Sequence, residues 1–173
     1  MILGNPDKFA IIMEVVNDWN IDQSFNNGVL FFTIEGKIFP CNEVVNATLN
    51  SEIPQLKRCI SSVGTDERLF SLPKDEAFTE MYNLRSPKDW SIDADYRFDI
   101  SPLSFSDKNC LKFAVSDGKQ VRILAVADLE YIIAESRYNL KNIDISEVYI
   151  TVAELNDILL KLSIYDNKFE RMM

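Results

Sequence analysis

Carboxylates are the groups with which this chain could do chemistry. Asp89, Asp93, Asp95 and Asp99 follow one another closely, with Glu76 and Glu80 just before them. Carboxylates at such spacing can hold a divalent ion, work as an acid/base pair, or attract a cationic partner. The first use fits poorly. Asp93-Ala94-Asp95 is the nearest approach to a calcium loop, and it lacks the glycine and the terminal bidentate glutamate that such a loop requires. No metal ligand is therefore assigned. The second use singles out no pair, so no residue is assigned as catalytic; a small cytosolic enzyme using carboxylates or a divalent metal stands as the alternative reading. The third use fits best. Residues 66–107 carry ten acidic and five basic side chains, a net charge of −5 within the chain's total of −9. Tyr82, Trp90, Tyr96 and Phe98 are interleaved with them. Rings anchor a protein contact while charges steer the approach. The candidate contact residues are Glu76, Glu80, Asp89, Trp90, Asp93, Asp95, Tyr96 and Asp99.

Other chemistries lack their parts. The chain has no histidine, which removes Ser-His-Asp triads and the commonest general base. Its three cysteines, Cys41, Cys59 and Cys110, are widely spaced and form no CxxC pair, so they read as reduced thiols. No glycine-rich phosphate loop is present, and no cofactor is expected. Net charge −9 argues against direct nucleic-acid binding, which needs clustered Lys and Arg. The apolar runs are far shorter than the roughly 20 residues that span a bilayer. The opening MILGNPDKFA lacks the basic and apolar regions of a secretory signal, so a cytoplasmic protein without membrane association is expected.

These side chains need a scaffold, and its hydrophobic content of 47% is enough to build one. Lys8–Val16 reads as a buried strand. Gly28–Ile34, the Glu35-Gly36 turn and Lys37–Phe39 read as a hairpin inside the sheet, apolar on both faces and stopped by Pro40. Val44–Leu49 reads as a short strand. Ser51 is expected to cap a helix over Glu52–Ser62, with Pro54 in its first turn. Asp66–Leu72 reads as extended or irregular, and Lys74–Leu84 as a second helix. Residues 85–95 read as a loop and Tyr96–Ile100 as a half-exposed strand. Cys110–Ser116 and Lys119–Ala127, joined through Asp117-Gly118, form the second hairpin. Asp128–Ser136 reads as helical or a short turn. Glu147–Thr151 is a strand. Thr151 then caps a final helix through a capping box with Glu154.

The fold class is therefore α+β: an antiparallel or mixed β-sheet built from hairpins, with about three packed α-helices, in a single domain over residues 1–173.

Two segments carry a resemblance. GNPDKFAIIMEVVNDWN (residues 4–20) and NGVLFFTIEGKIFP (residues 27–40) resemble the opening of immunity protein 42, a family of bacterial polymorphic-toxin immunity proteins. Gly4, Asn5, Pro6, Phe9, Ala10, Ile11, Gly36, Lys37 and Pro40 carry the match. The resemblance implies a cytosolic binding protein, not an enzyme. Its partner would be a cognate toxin domain, often the nuclease of a contact-dependent growth inhibition system. A nuclease is expected to be basic, which suits an acidic inhibitor.

Overall fold

A computed structural model describes residues 1–20, 25–41, 43–89, 91–105 and 108–170, with the backbone alone for 167–170. The chain opens with β1 (Ile2–Gly4), β2 (Phe9–Val15), β3 (Asn27–Ile34), β4 (Lys37–Phe39) and β5 (Asn46–Thr48). They form one antiparallel sheet in the order β1-β2-β3-β4, with β5 also on β3. β2 pairs along the whole of β3, while β4 and β5 pair with its two ends. Glu35 and Gly36 make the turn between β3 and β4 with φ of 56° and 74°, the double positive φ of a type I′ hairpin. Leu30, Phe32 and Ile34 are wholly buried. Val29 and Phe31, on the other face, are half-buried, so β3 is central but fully covered on one face only.

α1 (Leu49–Ser61) follows β5 without a loop. It begins before the expected Ser51 cap, because its first amide finds a tertiary partner: Leu49 N–H donates to the Asn26 carbonyl at 2.8 Å. Pro54 consequently lies in the second turn. α2 (Glu67–Ser71) occupies a stretch expected to be irregular. Its cap is Asp66, whose carboxylate accepts from Leu69 N–H at 2.8 Å. α3 (Lys74–Arg85) follows. Tyr96–Ile100 is not a strand and makes a single bridge, Asp99 to Phe113. Phe98 turns into the core while Tyr96 turns outward.

β6 (Leu111–Ser116) and β7 (Gln120–Val126) form the second hairpin; in the stretch read as helical or a short turn, a 3-10 turn over Ile133–Glu135 is present, and it joins two short strands, β8 (Tyr131–Ile132) and β9 (Arg137–Tyr138), that were not expected. β10 (Ser146–Thr151) completes a three-stranded antiparallel sheet in the order β10-β7-β6. α4 (Val152–Glu170) closes the chain. Its capping box is formed as expected: Thr151 Oγ1 accepts from Glu154 N–H at 3.1 Å, and Glu154 Oε2 accepts from Thr151 N–H at 2.7 Å. Among the described residues, antiparallel sheets with four α-helices make an α+β fold. Among the described residues no helix is long and apolar enough to cross a membrane.

The hairpin β6–β7 is buried on both faces, and alternation divides its side chains. Ala114, Val121, Ile123 and Ala125 join the core of the five-stranded sheet, α1 and α4. Leu111, Phe113, Val115, Leu124 and Val126 join a second core with Leu69 of α2 and Phe78 and Met81 of α3.

Two cations lie within these layers. The Arg122 side chain is 3% exposed and pairs with Glu147 at 2.6 Å. It also donates to the carbonyls of Phe70 and Leu72 at 2.9 and 2.6 Å, which ties the end of α2 to the sheet and satisfies carbonyls a helix end leaves open. Lys112 is completely buried. Its ammonium lies 4.1 Å from the centre of the Phe105 ring and donates to Cys110 Sγ at 3.2 Å. Burial pushes its pKa below the ordinary lysine value.

The unfolded chain therefore holds a proton that the folded lysine releases more readily. Stability should rise as pH climbs toward about 10.4, the free lysine value. Lys112→Met should raise stability near neutral pH by about 1–4 kcal/mol. The gap between variant and wild type should narrow as pH rises, which urea titrations at a series of pH values will measure.

Candidate functional site

The acidic stretch folds as α2, α3 and the loop that returns to β6, with Glu76 in the first turn of α3. Backbone bonds hold this loop. Asp95 N–H donates to the Leu84 carbonyl at 2.8 Å, and Asp99 N–H to the Tyr96 carbonyl at 3.1 Å. Asp89 folds its own corner: its carboxylate accepts from Ser91 N–H at 2.9 Å, and that bond holds its pKa below the usual carboxylate range.

The remaining candidates divide by partner. Asp95 accepts from the Arg97 guanidinium at 2.7 Å and from its backbone N–H at 3.0 Å; the guanidinium holds its pKa low. Asp99 has a side chain only 10% exposed and is bound by Arg85 and by Ser101 N–H. Glu80 takes a two-pronged contact from Arg68 at 3.0 and 2.6 Å, which lowers its pKa. Asp93 and Glu76 are exposed, and among the described residues neither has an ion-pair partner. Tyr96 is 60% exposed and Ile92 is 58%. Trp90 and Asp107 lie outside the described residues.

The structure thus gathers Asp89, Ile92, Asp93, Asp95 and Tyr96 on one loop. Glu76 sits two turns before Leu84 on α3, about 12 Å along the helix axis. Three of the eight candidate residues spend their charge on arginines of the chain itself. Those arginines are already counted in the region's net charge of −5, so the pairing localises the charge rather than reducing it; among the described candidate carboxylates Glu76, Asp89 and Asp93 have no arginine partner.

The loop also walls a cleft of about 540 Å³ against the last turns of α1. Arg58, Arg85, Arg97, Cys59, Tyr96 and Phe105 are among its lining residues. Sequence reasoning missed this cleft. Its signal was present in Arg85 and Arg97, which counted only as offsets to the acidic total. The far wall, Leu103–Phe105, is a 3-10 turn. Glu52 holds it in place: the buried carboxylate accepts from Leu103 N–H at 3.1 Å and from Ser104 N–H at 2.6 Å.

The cysteine thiols near the cleft are not activated. Burial pushes the Cys59 and Cys110 thiols up, away from the reactive thiolate. Among the described residues no group of three or more His, Cys, Asp or Glu side chains gathers as a metal site.

Glu52→Ala should remove the acceptor of two backbone amides and cost about 1–3 kcal/mol of stability. Amide exchange should quicken first at Leu103 and Ser104, which hydrogen-exchange mass spectrometry can read.

A family model described as immunity protein 42 matches residues 1–165. No curated protein matches the chain. Among solved structures the chain is similar to CdiI from Burkholderia dolosa AUO158, with a TM-score of 0.76 and 23% identity over 95% of this chain and 99% of that one. At that identity the likeness concerns the fold.

Proposed function

The chain belongs to the immunity protein 42 family, and from that premise we propose that it neutralises a cognate bacterial toxin domain by binding it directly. The family match over residues 1–165 carries this reading. The likeness in fold to a CdiI supports placing it in a contact-dependent growth inhibition system. In this reading the chain acts in the cytoplasm as a single domain, without catalysis, cofactor or contact with nucleic acid. Its toxin is basic, as a nuclease would be, and a chain of net charge −9 attracts it over distance.

The contact surface is the loop 89–96 with the exposed face of α3. Tyr96 and Ile92 supply exposed apolar area on a loop fixed by its own hydrogen bonds. Asp93 and Glu76 steer the approach, with Asp89, Asp95 and Glu80 beside them and Asp99 held beneath by Arg85; Trp90 is a further candidate from the sequence alone. Neutralisation needs no bond to be broken, because covering or distorting the toxin's site suffices.

Co-expression with the toxin domain encoded beside it tests the reading. Restored growth and co-purification at a fixed ratio are expected. Cells that die, with no complex recovered, would overturn it.

Two sets of variants locate the surface. Asp93→Asn with Glu76→Gln should slow association several-fold at low salt and lose that effect at high salt, where charges are screened. Tyr96→Ala should raise Kd on the order of tenfold or more, chiefly through faster dissociation. Stopped-flow mixing and surface plasmon resonance separate the two.

A further inference from the structure

The cleft beside the loop has the opposite electrostatic character from the chain that contains it. Arg58, Arg85 and Arg97 line it, against the single carboxylate of Asp99. Arg85 and Asp99 satisfy each other. Arg97 reaches outward to Asp95 with its side chain 66% exposed. Arg58 is exposed; it donates to the neutral side chain of Gln55, lies close enough to Cys59 to act on its thiol, and among the described residues forms no ion pair. Pro102, Leu103, Phe105, Cys110 and Leu111 give the lining an apolar part beside these cations. Tyr96 and Leu103 stand exposed at its lining.

Resting on the proposed toxin-binding function, we infer that this cleft receives a carboxylate side chain of the toxin together with an apolar neighbour, and that Arg58 is its principal cation. A guanidinium binds a carboxylate through paired N–H donors, and the apolar part of the lining strengthens such a contact by excluding water. Charge also selects the occupant. A free anion must approach against the field of a chain with net charge −9. A carboxylate carried on a basic partner does not, because the unpaired Asp93 and Glu76 already draw that partner in. Once the loop is engaged, the carboxylate enters at high effective concentration. The interface is then two-signed: acidic on the loop and basic in the cleft. A toxin with the right net charge but no carboxylate at this point would leave Arg58 facing it without a partner, which costs affinity and gives specificity.

The cleft contains its own reporter. Cys59 lines it, half-buried, whereas Cys41 lies outside it at similar exposure. The experiment uses the full chain and the purified toxin domain encoded beside it. Three chains are compared: wild type, Arg58→Lys and Arg58→Glu. Thermal melting checks that each is folded. The expected result is a rise in Kd of about tenfold or more for Arg58→Glu and a much smaller change for Arg58→Lys. Iodoacetamide labelling of the wild-type complex at alkaline pH, read by mass spectrometry, should show Cys59 protected and Cys41 still labelled. Arg58→Glu binding as tightly as wild type, or Cys59 alkylated at the same rate in the complex as in the free chain, would overturn the inference while leaving the toxin-binding function intact. Wild type failing to bind at all would overturn both.

Discussion

The hairpin β6–β7 is apolar on both faces, and a two-sided apolar sheet must be covered twice. Most of the described architecture answers that demand. One face packs with the five-stranded sheet, α1 and α4; the other takes α2 and α3. Charges enter this arrangement only where they are bound. Arg122 fastens α2 to the sheet through carbonyls and Glu147. Lys112 is the exception, since its contacts are two aromatic rings and a thiol. Its burial costs stability that the apolar layers around it must offset.

The acidic loop inherits its position from the same hairpin. Phe98 is buried in the second core. Its carbonyl accepts from Ala114 N–H at 2.8 Å, and Ile100 N–H donates to the Lys112 carbonyl at 3.0 Å. The loop's return is thus hydrogen-bonded to β6 at two points. Gly64 completes the fit: a β-carbon there would come within 2.7 Å of the Phe98 ring, closer than packing allows. Glycine at this position is required by the ring beside it. The cleft exists because this return and the turn pinned by Glu52 leave a gap before α1.

Strong local signals were legible in the sequence. The Glu35-Gly36 and Asp117-Gly118 turns and the Thr151–Glu154 capping box act over a few residues, so pattern sufficed to place them. The GKIFP stretch carried the family resemblance for the same reason. What escaped was decided by distant partners. α1 starts at Leu49 because Asn26 supplies an acceptor. Alternation suggested a strand over Tyr96–Ile100, where the chain instead makes a turn with one bridge. Asp66 was a cap in plain view, but the five-residue helix behind it is too short to show a period. The candidate surface was legible as composition and not as wiring: the pairing of Asp95 with Arg97, Asp99 with Arg85 and Glu80 with Arg68 depends on geometry that a charge count does not contain.

Among its described residues, the loop between α3 and β6 has almost no regular structure, yet several of its amides are taken by its own carboxylates and carbonyls. Its ordering is therefore settled when the protein folds, before any partner arrives. A surface prepared in this way has few rotamers and little backbone left to freeze on contact. The gain shows in time rather than in speed of encounter. In the contact proposed here, little ordering then remains to be lost on binding, and residence is built into the loop's internal bonds.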